Sequence, residues 1–332
     1  MTKVGLVMRK IQFTEAQGPR IYAERLKAIA ADEGIEIVFV QPERHVSGYD
    51  QAPGFEYEKG DLVNYDIVLN QLYRENIDHV IYTVSGFTFL KLFFDKCVLF
   101  PHSYPHPDLT GYKMMRPFYS IVDKAIVHTE YLKRRFAEDF GVTDVDVIPI
   151  GFEEDLARKH YDPSAVVKSR VLWIGRDEPN RRPEVPIEYA RTRPDVEVVM
   201  VLGGLRYKES MKKYDIPPNV KLMFALGRDD IFRLMNTAKV YWSTSVFDTF
   251  AMPLAEAMAM GKLIVKPDHP CYGHISGRHT FAGNPDNWFE LVDMALAAPA
   301  AVSEDNRGRA FERFSERVMR EGYRKFFASW IG

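Results

Sequence analysis

Short apolar runs alternate with amphipathic segments along most of this 332-residue chain. Runs nearly continuous in Val, Ile and Leu are typical of strands buried on both faces, and strands that alternate with helices are typical of parallel sheets. The first series of predicted strands lies at 3–8, 35–40, 66–69, 79–84, 97–100, 124–128 and 145–149. The second series lies at 170–174, 196–202, 219–224, 239–243, 262–266 and 279–282. The pattern predicts an α/β protein.

Two such series, in a chain longer than one core usually supports, predict two tandem doubly wound, Rossmann-like domains. Amphipathic helices are predicted between the strands, as at 129–140. The join falls in a polar stretch, 151–169, which contains a Pro and lacks a predicted strand. We therefore assign 1–160 to the first domain and 161–302 to the second. Residues 303–332 are predicted to form C-terminal helices that pack back toward the first domain.

The charge balance argues against two classes of partner. The chain has 44 Lys and Arg against 46 Asp and Glu, a formal net charge of −2, and acidic residues outnumber basic ones in the first half. Such a protein has no strong electrostatic attraction for nucleic acid or for an anionic membrane. Neither partner is therefore favoured.

Cysteine usage indicates a compartment. The two cysteines, Cys97 and Cys271, are far apart and have no partner spacing, which fits a reducing environment. The N-terminal residues are too charged for a signal peptide, and no run approaches the ~20 apolar residues of a spanning helix. We therefore expect a cytoplasmic protein.

The stretch FDTFAMPLAEAMAMG at 247–261 places two carboxylates around a predicted helix start. Pro253 suits the first helical position, and Gly261 suits the end. A helix that starts at the carboxyl edge of a parallel sheet binds anions, because its unpaired N–H groups point outward. Glu256, expected in the first turn, is placed to accept hydrogen bonds from a ribose diol. Asp248 is placed to accept them from a sugar beyond the phosphates.

The same two acids also have a structural interpretation, since they suit the helix dipole and the turn. The segment alone leaves the two interpretations about equally open. A second feature favours a site: the predicted strand 170–174 leads into Gly175 and Arg176, and Arg181 and Arg182 follow. Guanidiniums at the first strand-to-helix turn suit a diphosphate, although a solvated basic loop is the alternative.

The order of these segments resembles the two-domain GT-B glycosyltransferases, specifically the retaining enzymes of glycosyltransferase family 4. The family's donor signature is a Glu, seven residues and a second Glu, and it is similar to Asp248 through Glu256 here. The family's Gly-Arg and Lys residues fall on Gly175, Arg176 and, with Arg in place of Lys, Arg181. Two further segments are similar to the family's, 122–136 and 147–156.

The resemblance implies a GT-B architecture, in which the two domains face a central cleft. It also implies roles for four side chains. Arg176 and Arg181 would neutralise the leaving nucleoside diphosphate, Glu256 would bind the ribose, and Asp248 would bind hydroxyls of the transferred sugar.

Further site residues follow from the same resemblance. Gly175 would line the donor site, and backbone N–H groups at Phe250 and Ala251 would contact the phosphate or the sugar. Gly18 matches a family glycine close to the donor phosphates. His102 is the positional match to a histidine near the reacting carbon.

The function implied by the resemblance is retaining transfer of a sugar from a nucleoside-diphosphate sugar, UDP- or GDP-linked, to an unidentified acceptor hydroxyl. The family needs neither a metal nor another cofactor. The His-bearing loops at 101–108 and 269–274 lack the ligand set of a zinc site and are interpreted as loops. The chain departs from the family pattern where Asp248 replaces a Glu and where Thr249 and Ala251 replace glycines.

Two alternatives stay open at this point. One is a non-catalytic nucleotide-sugar binding module, which the shorter Asp248 and the replaced glycines suggest. The other is a sugar-nucleotide epimerase or hydrolase on the same scaffold, which would need a carboxylate cluster in the first domain. The acceptor class, whether glycan, lipid, small molecule, protein or modified nucleic acid, does not follow from the sequence.

Overall fold

The structure is a computed structural model, and it describes residues 1–8, 18–40, 43–45, 61–63, 65–83, 85–101 and 117–332. The chain divides into two compact units. The first comprises Met1–Ile148 together with Arg320–Gly332, and the second comprises Pro149–Met319. Each unit is built on its own parallel sheet.

The first unit contains eight described strands. They are β1 (Thr2–Val7), β2 (Ile35–Val40), β3 (Glu43–His45), β4 (Asp61–Val63), β5 (His79–Tyr82), β6 (Lys96–Leu99), β7 (Lys124–Val127) and β8 (Asp144–Val147). Six of them form a parallel sheet in the order β2-β1-β5-β6-β7-β8. The short β3 and β4 form a separate antiparallel pair, which the sequence did not predict because neither contains an apolar run.

The described helices of the first unit are α1 (Gly18–Asp32), α2 (Tyr65–Arg74) and α3 (Glu130–Phe140), with a 3₁₀ segment at Ser85–Leu92. Helix α3 shows how the sequence sets the ends of an element. The Oγ1 of Thr129 accepts a hydrogen bond from the N–H of Leu132 at 3.2 Å. Gly141 then ends the helix with a φ of 76°, a left-handed conformation that glycine adopts without strain.

One predicted strand was wrong. Residues 66–69 lie in α2, because Val68 and Leu72 are both fully buried and are spaced four apart, as on one helical face. Helix α2 approaches β1 closely, and a Cβ at Gly5 would lie 2.6 Å from a methyl carbon of Leu72. The run DIVL is too short for periodicity alone to separate a strand from a helix.

The second unit has the strands β9 (Val167–Gly175), β10 (Glu197–Leu202), β11 (Val220–Phe224), β12 (Ala238–Trp242), β13 (Leu263–Pro267) and β14 (Thr280–Gly283). They form one parallel sheet in the order β11-β10-β9-β12-β13-β14. The prediction of an α/β chain with two parallel sheets is therefore confirmed.

The order of the second sheet determines where a ligand can bind. The chain moves outward from β9 to β10 and β11, then returns to the other side of β9 with β12 and moves outward again through β13 and β14. In open α/β sheets of this kind, ligands bind at the carboxyl ends of the strands where the order reverses. That point lies between β9 and β12.

The helices of the second unit cover this sheet. They are α4 (Glu154–Lys159), α5 (Glu184–Thr192), α6 (Tyr207–Ser210), α7 (Arg228–Thr237), α8 (Met252–Ala259), α9 (Trp288–Ala297) and α10 (Glu304–Phe314). A last helix, α11 (Glu316–Ile331), begins in the second unit, and its residues from Arg320 onward belong to the first.

The core of the second unit is rich in large aromatic side chains. Trp173, Trp242, Trp288 and Tyr189 are all at most 2% exposed and belong to one cluster. The ring of Tyr189 meets that of Trp242 edge to face at 5.5 Å, and Trp242 meets Trp288 at 6.5 Å. This packing holds α5 and α9 on one face of the sheet and makes its central strands a rigid support for the loops at their ends.

A helix must be both long and apolar to cross a membrane. Across the described ranges, none is both long enough and apolar enough to cross a bilayer.

Candidate active site

Two loops meet at the reversal point of the second sheet. The 176–183 loop follows β9, and the 243–251 loop follows β12 and leads into α8. Because β9 and β12 are parallel neighbours, both loops leave the sheet at its carboxyl edge. The residues predicted for the donor diphosphate and the transferred sugar lie on these two loops.

Gly175 ends β9, and its lack of a side chain has a packing reason. A Cβ at this position would lie 2.5 Å from the indole ring of Trp173. The indole N–H of Trp173 in turn donates to the Oγ1 of Thr244 at 2.9 Å. The glycine therefore lets Trp173 cross beneath the 176–183 loop and reach the end of β12.

Hydrogen bonds join the two loops to each other. The hydroxyl of Thr244 donates to the carbonyl of Arg181 at 2.6 Å, and the backbone N–H of Val246 donates to the carbonyl of Asn180 at 2.8 Å. Tyr272 fixes the second loop from behind by donating to the carbonyl of Ser245 at 2.8 Å. The positions of the charged side chains on the two loops are thus set by backbone contacts.

Arg181 and Asp248 form a buried ion pair across these loops. The guanidinium Nη1 of Arg181 contacts Oδ2 of Asp248 and also donates to Oγ of Ser245 at 3.0 Å. Burial would raise the pKa of Asp248, but the guanidinium outweighs burial and holds this pKa below its ordinary value. The carboxylate is therefore ionised, and the pair fixes two opposite charges at the sheet edge.

The other oxygen of Asp248 shapes the entry to α8. Its Oδ1 accepts hydrogen bonds from the N–H groups of Ala251 at 3.1 Å and Phe250 at 3.4 Å. These are two of the N–H groups for which the sequence predicted contact with the donor. Ala251 itself has φ 59° and ψ 58°, a left-handed conformation usually left to glycine.

The space enclosed by these groups is small. The cavity lined by Trp173, Arg181, Tyr241, Asp248 and Leu254 has a volume of about 20 Å³. A cavity of that size holds about one water molecule. A diphosphate must therefore bind at its mouth or displace the side chain of Arg181.

Arg176 lies apart from the buried ion pair. Its guanidinium contacts the carboxylate of Glu178 at 3.1 Å, and its side chain is 39% exposed. The two predicted diphosphate ligands therefore differ, because Arg181 is held in place by Asp248 and Ser245. Arg176 is accessible to a ligand from solvent.

The prediction that Glu256 lies in the first turn of α8 is wrong, although the residue does belong to this helix. The helix begins at Met252, so Glu256 is one turn further in, and it is only 1% exposed. Its Oε1 contacts a guanidinium nitrogen of Arg228, the first residue of α7. The same guanidinium contacts Glu153, which immediately precedes α4.

An aromatic stack supports the 243–251 loop at Phe250. The imidazole of His274 stacks on the Phe250 ring at 5.2 Å, and its Nε2–H donates to the Phe250 carbonyl at 2.7 Å. Phe314 meets both rings edge to face. Burial lowers the pKa of His274 to about 4, so the ring is neutral near pH 7.

The other predicted site residues, Gly18 and His102, do not belong to these two loops. Gly18 is the first residue of α1, and His102 lies outside the described residues. In the 269–274 loop the Nδ1 of His269 accepts from the N–H of Cys271 at 3.2 Å, so it acts as a cap. Within the described ranges, no three His, Cys, Asp or Glu side chains are grouped so as to hold a metal ion.

The sequence analysis did not identify the residues whose hydrogen bonds and ion pairs hold the predicted site residues in place. Arg228 could have been noticed, because it follows a strand end and opens a helix at the same carboxyl edge. Glu153, Thr244 and His274 give no such signal, since their contacts lie far away in the chain and only the fold brings them together.

A family model described as glycosyl transferases group 1 matches residues 163–296. This range contains both loops and helix α8, but leaves out Glu153, the outer partner of Arg228. No curated protein sequence matches the chain significantly.

Solved structures match over nearly the whole length. Sucrose-phosphate synthase from Thermosynechococcus elongatus has a TM-score of 0.79 at 14% identity, with 99% of this chain and 100% of that chain covered. HepE of Anabaena, in complex with UDP and glucose, has a TM-score of 0.73 at 14% identity, with 99% and 100% covered. A glycosyltransferase from Rickettsia africae has a TM-score of 0.71 at 14% identity, with 99% and 98% covered.

The chain therefore has the two-domain fold of the GT-B glycosyltransferases. Its residues 163–296 match the model of the glycosyl transferases group 1 family, in agreement with the predicted enzyme class. The predicted fold and enzyme class are confirmed, whereas membership of family 4 stays a prediction.

The left-handed Ala251 leads to a stability prediction. Ala251→Gly relieves about 1 kcal/mol of backbone strain, which offsets the entropy that glycine adds to the unfolded chain, so the thermal midpoint should hold or rise. Ala257→Gly, in the buried interior of the same helix, should cost about 1–2 kcal/mol. Equal losses in the two variants, measured by thermal unfolding, would contradict the assigned backbone conformation.

The neutral His274 leads to a pH prediction. The pKa of this imidazole is lowered from 6.5 to about 4 on folding, so as pH falls from 6.5 toward 4 the unfolded chain binds a proton first. Stability is therefore lost across this window, by up to about 1.4 kcal/mol per pH unit. His274→Gln should flatten the wild-type decline in thermal midpoint. If the thermal midpoint fell with pH equally in the wild type and in His274→Gln, the titration of His274 would not be the cause of the decline.

Proposed function

We propose that this protein transfers a sugar from a nucleoside-diphosphate sugar to an acceptor hydroxyl, with retention of configuration and without a metal. The observation that carries the proposal is the grouping of Arg181, Arg176 and the start of α8 at the reversal point of the second sheet. Positive charge and a helix N-terminus there suit a leaving diphosphate.

The reaction needs the charge that develops on the diphosphate to be stabilised. Arg181 is already held by Asp248 and Ser245, so its charge is preorganised and costs little reorganisation in the transition state. The accessible Arg176 is placed to reach the phosphates from outside. Two guanidiniums supply the positive charge that a divalent cation would otherwise provide.

Donor binding and the Arg181–Asp248 pair are linked. The cavity beside the pair is too small for a phosphate, so we infer that the diphosphate shares or replaces Asp248 as the partner of Arg181. A carboxylate released from Arg181 can accept hydrogen bonds from the transferred sugar, which is the role predicted for Asp248. The shorter Asp in place of Glu is compatible with this exchange.

The chemical step is a front-face displacement. The bond between the sugar's anomeric carbon and the diphosphate oxygen breaks, a bond to the acceptor oxygen forms on the same face, and the departing phosphate takes the acceptor proton. No enzyme nucleophile is required. A positioning role for the predicted His102 in the first unit remains part of the proposal.

The donor is proposed to carry UDP or GDP. The related fold of HepE, whose structures contain UDP and UDP-glucose, supports testing the uridine nucleotide first. The acceptor class is left open. A cytoplasmic location is proposed because Cys97 and Cys271 are both free thiols.

A thermal-shift panel of UDP, GDP, ADP and their sugar conjugates tests the proposal. A nucleotide at 100 times its Kd should stabilise the protein by about 2.7 kcal/mol, which raises the midpoint by several degrees. Glu256→Ala should abolish the shift, whereas Glu290→Ala, an exposed acid on α9, should keep it. Absence of any shift across the panel would overturn the proposed donor class.

Turnover should depend on Arg176 more than binding does. Arg176→Ala removes a charge whose partner grows in the transition state, so kcat should fall by about 10²-fold or more while the donor Kd changes less. Release of free nucleoside diphosphate measures the rate, and titration calorimetry measures the Kd. Arg191→Ala, which removes an exposed arginine of α5, is the control. An equal loss in both quantities would make Arg176 a ground-state anchor only.

A further inference from the structure

Arg228 lies between two carboxylates that come from different parts of the second unit. Its Nε donates to Oε2 of Glu153 at 2.6 Å, and its Nη2 contacts the same oxygen at 2.5 Å. Nη2 also contacts Oε1 of Glu256. One guanidinium thus connects the residue before α4 with a buried residue of α8.

The three groups differ in burial. The side chain of Glu256 is 2% exposed, whereas those of Arg228 and Glu153 are 23% and 25% exposed. An isolated carboxylate as buried as Glu256 would be costly to ionise. Burial disfavours the charged form of Arg228 too, but the two carboxylates outweigh it and raise the pKa of the guanidinium above its ordinary value. Arg228 is therefore a permanent cation beside Glu256.

The arrangement also fixes the direction of the Glu256 carboxylate. Oε1 is engaged by Arg228, and Oε2 has no hydrogen-bond partner within the described part of the chain. A planar guanidinium that is held on its other side by Glu153 cannot rotate freely, so it holds Glu256 in one orientation. One oxygen is thus left to accept a hydrogen bond from a ligand.

We propose that Arg228, anchored by Glu153, is the positioning residue that makes Glu256 selective for a ribose diol. The inference rests on the proposed function, in which Glu256 binds the ribose of the donor nucleotide. Arg228 acts through Glu256: it binds one oxygen of that carboxylate and thereby aims the other at the ligand. Removing Arg228 should therefore weaken recognition of the ribose hydroxyls in particular.

Selectivity between UDP and 2′-deoxy-UDP measures this role directly. A hydrogen bond from a hydroxyl to a carboxylate is worth about a tenfold to a hundredfold difference in Kd, so wild type should prefer UDP by that ratio. In Arg228→Met the ratio should fall to within about threefold. Titration calorimetry with both nucleotides measures it, and GDP with 2′-deoxy-GDP replaces them if the donor panel selects guanosine.

A matched control lies on the same helix. Arg233 of α7 also pairs with acids, Asp229 at 2.8 Å and Asp230 at 3.2 Å, but its side chain is 64% exposed. Arg233→Met removes a helical arginine without touching Glu256, so it should keep the wild-type ratio. A merely structural role for Arg228 would lower the thermal midpoint and leave the ratio unchanged, and that result would overturn the inference.

Two further variants cover the case in which Arg228→Met folds poorly. Arg228→Lys keeps the charge but loses the two-pronged contact, so it should restore part of the selectivity. In the double variant Arg228→Met with Glu256→Gln, position 256 has no carboxylate for Arg228 to orient, so its ratio should equal that of Glu256→Gln alone. A further loss beyond Glu256→Gln would show that Arg228 acts independently of Glu256 and would overturn the inference.

The outcomes separate this inference from the proposed function. A wild-type protein that binds none of the nucleoside diphosphates overturns the proposed function itself. A wild-type protein that binds them with a ribose preference, and keeps that preference in Arg228→Met, overturns only the role of Arg228.

Discussion

The ion pair between Arg181 and Asp248 is the interaction on which the site depends. It joins the loop after β9 to the loop after β12, and the second oxygen of Asp248 accepts hydrogen bonds from the backbone that leads into α8. Such a pair is costly to desolvate, and it persists here because backbone N–H groups and Ser245 satisfy its remaining atoms. The charge that a diphosphate would meet is therefore the charge that holds the two loops together.

Much of the fold could be predicted from the sequence, for a physical reason. Strands buried on both faces need continuous apolar runs, and nearly all of those runs form strands in the two sheets. The exception, 66–69, has an apolar run as short as one helical turn, and only the burial of Val68 and Leu72 separates the two possibilities. Helix α3 lies within the predicted 129–140 pattern, and its ends at Thr129 and Gly141 are set by capping, which depends on local backbone geometry.

The candidate site was predictable only in part. The spacing of Asp248 and Glu256 around a Pro indicated the helix start, since local chemistry determines it. Their ion-pair partners did not follow, because Arg181 and Arg228 reach them across 67 and 28 positions of the chain. Pairing of that kind depends on strand order, which a periodic pattern does not determine. Sequence reasoning thus located the two acids and Arg181, but neither the pairing of Arg181 with Asp248 nor Arg228 as the partner of Glu256.

The distance along the chain between these partners has a consequence for folding. Trp173 and Thr244 are 71 positions apart, so the edge of the sheet that carries the candidate site forms only after β12 has paired beside β9, with β10 and β11 already synthesised between them. Contacts of such high sequence separation form late and close long loops. A nascent or partly folded second unit has no such edge. Nucleotide binding would therefore report completion of this unit and would protect it as a whole against proteolysis.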